Sequence, residues 1–271
     1  MTAPPEGIRF GLVIVGDEIL SGKRQDKHLS KVIELLAARG LQLAWSHYIG
    51  DDRDALVALY RRTFASDDTV ISCGGIGATP DDHTRQAAAA ALDVPLELHP
   101  KAASLITERC VEMALKGAGS ADMSTPENQQ RLKMGDFPSG AAIIPNPFNR
   151  IPGFSIRNHW FVPGFPVMAW PMIEWLLDTQ YADYFNSQSR VERSLIVFEV
   201  AESLLAPLME QVEQNFPGVR SFSLPSVGDG QDGKPARRHV ELGVRGDESI
   251  VEIAFDELRS GVLALGAEVG L

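Results

Sequence analysis

Three short apolar runs near the start of the chain constrain its fold more than any other feature. They are "IRFGLVIV" (8–15), "LQLAWSHYIG" (41–50) and "DTVISC" (68–73). Each reads as a strand, and the β-branched first run, closed by glycine, suits one covered on both faces. Between the first two, "DKHLSKVIELLAARG" places Leu29, Val32, Ile33, Leu35 and Leu36 at helical spacing and stops at Gly40. Between the second and third, "DDRDALVALYRRTFA" reads as a helix with an aspartate available as N-cap. Strand and helix alternate at the length of a βαβ unit, which predicts an α/β fold of three layers, α/β/α, around a mostly parallel sheet. Ligands of such sheets sit outside the carboxyl ends of the strands.

"VPLELHP" (94–100) and the helical "KAASLITERCVEMALKG" (101–117) continue the pattern. Residues 117–140 are polar and rich in breakers, so a loop with a short helix around Pro126 to Leu132 is expected. Residues 141–165 hold three apolar runs split by Pro-Asn-Pro and two Pro-Gly pairs, which predicts sheet-edge strands joined by tight turns. Residues 166–185 read as a helix interrupted near Pro171. From about residue 191 the order is strand (193–200), helix (201–216), strand (218–226), polar tip (228–236), strand (237–246) and a long helix (247–269). That βαββα order predicts a small α+β domain with both helices on one side of its strands. The expected domains are 1–185 and 186–271.

A formal net charge of -11 repels polyanions, which argues against nucleic acid and anionic membrane as partners. A small phosphate ligand remains compatible, because backbone N–H groups and a divalent ion hold it locally. Cys73 and Cys110 lie far apart without metal-ligand spacing, so neither a disulfide framework nor a zinc site is expected. The N-terminal segment lacks a basic head and cleavage pattern, and no run reaches membrane-spanning length. A cytoplasmic protein is expected.

"SCGGIGATPDDHT" (72–84) follows the third run. Gly74, Gly75 and Gly77 permit positive φ and close backbone approach, and a helix beginning near Asp81 directs free N–H groups into the same space. This is a candidate anion nest, although Asp81 or Asp82 reads equally well as the N-cap of that helix. "GDEILSGKRQDK" (16–27) brings Asp17, Glu18, Ser21 and Asp26 after the first run, and Asp51 and Asp52 come after the second. Each acid alone reads as a cap or a solvated charge. Acids after three successive strands converge on one rim, which suits a divalent ion (magnesium, manganese or cobalt) joining carboxylate to phosphate. Thr79, Thr84, Ser21, Gly22, Pro163 and Gly164 complete the ligand-binding candidates. His83 sits in the acidic loop within reach of a ligand, and Phe165 lies in a turn where it can face an adenine or pterin ring. No serine or cysteine nucleophile motif and no Walker-type lysine occurs.

"GDEILSG…QDKH", "IGDDRDAL", "GGIGATPDDHT" and "VPGFPVMAW" together resemble the molybdopterin-binding domain of molybdenum-cofactor biosynthesis proteins of the MoaB/Mog type. The same domain forms the amino-terminal half of the CinA (competence/damage-inducible protein A) family. The Gly-Asp-Glu-Ile-Leu start, the Thr-Pro-Asp-Asp loop and "AAIIPNPFNRIPGFSI" are most similar to the CinA branch, and the likeness covers roughly residues 8–180. Residues 191–271 resemble, more weakly, the small domain that follows in that branch. The resemblance implies a rim that binds an adenine nucleotide or a pterin, with two essential aspartates falling on Asp51 and Asp82. It implies either adenylylation of molybdopterin with ATP and magnesium, or metal-dependent hydrolysis of the pyrophosphate in ADP-ribose or FAD. Asp17 and Asp26 then join Asp51 and Asp82 around the ion, with Asp81 in support, and a homo-oligomer is implied. Ser72-Cys73 stand where the family often has Thr-Gly, and Ala78 replaces the family's usual proline. The deamidase domain of full CinA proteins is missing, so nicotinamide-mononucleotide deamidation is not expected. A nucleotide-sensing module without turnover is the non-enzymatic reading. The small domain is similar in outline to KH-type layers, but no Gly-x-x-Gly loop joins its helices directly and the chain is acidic.

Overall fold

The computed structural model describes residues 8–186, 190–227 and 237–270. The expected polar tip at 228–236 and the N-terminal residues 1–7 lie outside the described residues. The chain divides into two compact units, 1–186 and 187–271.

The first unit opens with β1 (Phe10–Val15), α1 (Asp17–Leu20), α2 (His28–Ala37), β2 (Leu43–Ile49), α3 (Arg53–Phe64), β3 (Thr69–Cys73) and α4 (Thr84–Leu92). There follow β4 (Leu96–Leu98), α5 (Pro100–Leu115), α6 (Pro126–Leu132), β5 (Asp136–Pro138), β6 (Ala142–Ile144), β7 (Gly153–Ile156), β8 (His159–Val162) and α7 (Pro166–Gln180). The main sheet has the order β2-β1-β3-β8-β7-β6. Its first four strands run parallel, β7 lies antiparallel to β8, and β6 lies antiparallel to β7, in the sense of the first four.

Every residue of β1 is buried, because alternate side chains meet helices on opposite faces. Phe10, Leu12 and Ile14 pack with Val32 and Leu36 of α2 and with Met172 and Leu176 of α7. Val13 and Val15 pack with Leu56 and Tyr60 of α3 and with Ala87 and Ala88 of α4. Each such side chain contributes about 1.5–3 kcal/mol by leaving water, and this two-sided cover is what produces three layers.

Several expectations are corrected. "VPLELHP" does not extend the main sheet: β4 pairs antiparallel with β5 in a separate two-stranded ribbon. The strands of 141–165 are not all at the edge, since β8 lies inside the sheet, parallel to β3. Its four residues are all buried, as a strand covered on both faces must be. Helix α7 runs unbroken through Pro171. Proline there removes one N–H, and the acceptor it frees belongs to Val167, an exposed residue whose carbonyl water can serve. The short helix α1 after the first strand was not foreseen.

The second unit comprises β9 (Arg190–Phe198), α8 (Glu202–Asn215), β10 (Arg220–Ser226), β11 (His239–Asp247), α9 (Glu248–Ala264) and β12 (Glu268–Gly270). All its strand pairs are antiparallel, in the order β10-β11-β9-β12. Helix α9 therefore stops at Ala264 rather than continuing to residue 269. Gly266 takes a left-handed φ of 73°, and the chain turns back as β12 beside β9. The pattern is βαββαβ, one strand more than expected. Leu205 and Val212 of α8 and Val251 and Leu258 of α9 cover Leu195, Val197, Leu242 and Val244 on one face. Among the described residues, no helix is long and apolar enough to cross a membrane.

Candidate active site

The carboxyl ends of β1, β2, β3 and β8 open into one cleft of about 600 Å³. After β1 come Glu18 and Arg24, after β2 Asp51, after β3 the loop Gly74–Thr79 with Asp81 and Asp82, and after β8 Pro163, Gly164 and Phe165.

The glycine loop is shaped by backbone demands. Gly75 adopts φ 68°, and a Cβ there would stand 2.2 Å from Thr84 Oγ1, so only glycine fits. Asp82 does not cap α4. Its Oδ1 accepts the Gly77 N–H at 2.9 Å, and its Oδ2 accepts the Thr79 N–H at 2.8 Å and the Thr79 hydroxyl. The cap position of α4 is His83, which makes no capping side-chain bond, so neither Asp81 nor Asp82 fills the alternative role of N-cap. The amides of Gly75, Ile76 and Ala78 have no protein acceptor among the described residues. Thr84 is buried: its hydroxyl donates to the Gly74 carbonyl at 3.0 Å and its N–H to the Gly75 carbonyl at 3.0 Å. It braces the loop from behind, and neither it nor His83 lines the cleft.

The acids separate into two groups. Asp17 and Asp51 exchange hydrogen bonds through their backbone N–H groups, which joins the loops after β1 and β2. Burial pushes the Asp51 carboxyl above its ordinary range. The Asp17 amide opposes that rise, and the charges of Asp17, Glu18 and Asp81 add to it. Beside Glu18, Asp51 and Asp81 lies a second hollow, which Asp17, Ser21 and Lys23 also line. Gly22 turns the chain after α1 at φ 72° and lines neither cavity. Asp26 has a different duty from the metal-ligand role expected of it. Its carboxylate accepts the N–H groups of His28 at 2.8 Å and Leu29 at 3.1 Å, starting α2, and the Tyr48 hydroxyl at 2.8 Å. Burial and then Asp26 push the Tyr48 phenol up to about 12. Asp26 lines neither cavity, whereas Asp51 and Asp82 both line the cleft. Asp52 caps α3 through the Ala55 N–H at 2.8 Å.

Among the described residues, no three His, Cys, Asp or Glu side chains are grouped to hold a metal ion by themselves.

Sequence reasoning missed the opposite wall. Asn146, Asn149, Met134 and Met168 line it, and the Arg24 guanidinium lies 5.9 Å from the centre of the Phe165 ring. Asn146 accepts the Phe148 N–H at 3.0 Å and donates to the Ile151 carbonyl at 2.9 Å. Two asparagines around a proline in "PNPFN" were the available signal, since such side chains fold a loop onto its own backbone.

The signature of the family described as "Probable molybdopterin binding domain" matches residues 11–182, which include every loop of the cleft. The chain belongs to this molybdopterin-binding domain family. A CinA-like protein of Anaeromyxobacter sp. is 31% identical over 274 residues, covering 93% of this chain and 63% of the relative. A CinA-like protein of Citrifermentans bemidjiense is 30% identical over 208 residues, covering 75% of this chain and 47% of the relative. The chain thus spans less than two thirds of the length of these curated relatives. Among solved structures, the protein CinA of unknown function from Thermoplasma acidophilum is similar, with a TM-score of 0.53 and 25% identity over 63% of this chain and 97% of that one. The expected resemblance to the molybdopterin-binding domain and its CinA-like branch is thereby confirmed, and so is the α/β architecture.

Proposed function

We propose that this molybdopterin-binding-domain protein is a nucleotide-binding enzyme that hydrolyses the pyrophosphate of an adenine dinucleotide, such as ADP-ribose or FAD, with a divalent ion. The observation that carries the reading is that the crowded Asp51 carboxyl and the unpartnered amides of Gly75, Ile76 and Ala78 share one cleft. Unpartnered amides call for an anion and crowded carboxylates call for a cation. A pyrophosphate carrying its own ion satisfies both.

Asp51, supported by Asp17 and Asp81, holds the ion on this reading. Asp82 keeps the loop folded, and the loop amides take the phosphate oxygens on which charge builds as the bond breaks. Phe165 and Arg24 offer a ring face and a cation to the base at the mouth. Magnesium, manganese or cobalt, when bound, supplies polarisation of the phosphoryl oxygen and a lowered pKa of the attacking water. The water oxygen joins one phosphorus, and the bridging oxygen leaves with the other phosphate. ADP-ribose then yields AMP and ribose 5-phosphate, and FAD yields AMP and FMN. We place the enzyme in the cytosol as a homo-oligomer, the latter to be tested by light scattering.

Incubating the purified chain with ADP-ribose and FAD, each with magnesium, manganese or cobalt, is expected to release AMP that a chelator abolishes. Asp82→Asn turns an N–H donor towards the Gly77 or Thr79 amide and is expected to cost about a hundredfold in turnover through loop misplacement. Undiminished AMP release by that variant removes the loop from the mechanism. The match to a probable molybdopterin binding domain supports molybdopterin as a ligand, and the second reading is transfer of adenylate from ATP to it in the same cleft. Product from ATP and molybdopterin alone selects it. Tight nucleotide binding with no product from any mixture selects a sensing module.

A further inference from the structure

We propose that Arg85 and Gln130 are positioning residues: they hold the Gly77 and Ala78 carbonyls of the glycine loop away from the cleft, so that the Ala78 amide stays turned towards a phosphate. The inference rests on the pyrophosphate reading above and assigns two residues to it.

In a trans peptide the C=O and the following N–H point in opposite directions, so a donor that holds one aims the other. The unpartnered amides of Gly75 and Ile76 belong to the peptides whose carbonyls Thr84 holds, at Gly74 and Gly75. The third, of Ala78, belongs to the peptide whose carbonyl, Gly77, accepts from Arg85 Nη2 at 2.6 Å. The next peptide is held at both ends: Gln130 Nε2 donates to the Ala78 carbonyl, and the Thr79 N–H goes to Asp82. Gly77 is accordingly gripped by Asp82 at its N–H and by Arg85 at its carbonyl.

Arg85 is 3% exposed, and its Nη1 donates to the Lys133 carbonyl just beyond α6. Its Nε is buried without a partner among the described residues. A buried guanidinium with an unmet donor is costly, and apolar packing would serve α4 better were stability alone at stake. Burial lowers its pKa, while Asp136 and Asp82 oppose that fall. Arg85 thus ties the loop after β3 to the segment that carries Gln130 and the cleft residue Met134. A negative carbonyl turned inwards at Gly77 or Ala78 would repel a phosphate that the amide in its place attracts.

The test uses inorganic pyrophosphate with magnesium as probe, measured by calorimetry, and adenosine as a phosphate-free control. Gln130 is exposed, so Gln130→Ala is expected to keep the wild-type Tm and adenosine affinity. It is expected to weaken pyrophosphate binding about tenfold, the scale of one hydrogen bond. Arg85→Lys, which retains a donor, is expected to fall between wild type and Arg85→Met. In AMP release, kcat is expected to drop more than KM rises, because the amides matter most where charge develops. If the wild type binds pyrophosphate and Gln130→Ala and Arg85→Lys bind it equally well, the positioning role is wrong. Parallel losses of Tm, adenosine and pyrophosphate binding in Gln130→Ala mean a merely structural role and overturn it too. A wild type that binds no pyrophosphate with any divalent ion sinks the parent reading, and this inference goes with it.

Discussion

The carboxylates of Asp17 and Asp51 each accept the other's backbone N–H, at 3.2 and 2.9 Å. Two loops from neighbouring strands are thereby locked together, with two like charges side by side and Glu18 and Asp81 close by. Such crowding is unfavourable for the empty fold and favourable for binding a cation, the usual opposition between stability and function at a site.

Asp51→Asn is expected to lower AMP release by about a hundredfold or more, the scale of losing a group that acts in the transition state. In chelator the same change is expected to raise Tm. The folded Asp51 pKa is raised, so its contribution to stability is fully present below the unfolded carboxylate pKa and is lost as pH rises through the folded value. Stabilisation by magnesium should therefore grow over that interval in the wild type and be weak in the variant. Thermal melts with and without the ion, from about pH 4 to about pH 7, measure both.

Gly75→Ala places a methyl group 2.2 Å from Thr84 Oγ1 on a residue at φ 68°. Left-handed strain costs about 1–3 kcal/mol, and the displaced Thr84 would release the Gly74 carbonyl as well. Urea unfolding should show the loss, and phosphate binding should fall with it. A variant as stable as wild type would mean that the loop tolerates another path.

Tyr181 closes a buried network in which its oxygen accepts from Trp160 Nε1 at 3.0 Å and from Thr69 Oγ1 at 3.2 Å. Tyr181→Phe strands both donors in the core, at a cost of about 1–3 kcal/mol. Chemical unfolding followed by tryptophan fluorescence reads the change, and no effect would show that water replaces the hydroxyl.

His159 is buried, with Nε2 2.8 Å from Thr63 Oγ1 and Nδ1 without a partner among the described residues. Burial first, and Arg157 second, push its pKa down to about 3. The neutral ring contributes stability that is complete above the unfolded pKa of about 6.5 and is lost as pH falls towards about 3. His159→Gln, which does not titrate, should flatten the fall in unfolding free energy over that window. An identical slope in the variant would assign the acid sensitivity to other groups.

The run "GLVIV" reads as a buried strand from its residues alone, and the glycines before "TPDD" mark a turn that demands positive φ. The places of Asp26 and Asp82 were not legible in the same way. Both follow a strand and precede a helix, yet Asp26 starts α2 with two amides while Asp82 folds back on Gly77 and Thr79. An acid in a loop accepts from whichever N–H reaches it, and that depends on the backbone path. Strand β8 was misplaced for a related reason: a run of one histidine and three apolar residues suits an edge or a centre, and only pairing with β3 decides between them.

Local residue types determined which segments are strands and helices and which loops face the carboxyl edge, because hydrophobic period, caps and glycine act within a few residues. Only the tertiary structure decided which acids meet. Partners such as Asp17 and Asp51, or Arg85 and Gly77, are selected by strand order and helix packing, and those are settled by burial summed over the whole sheet.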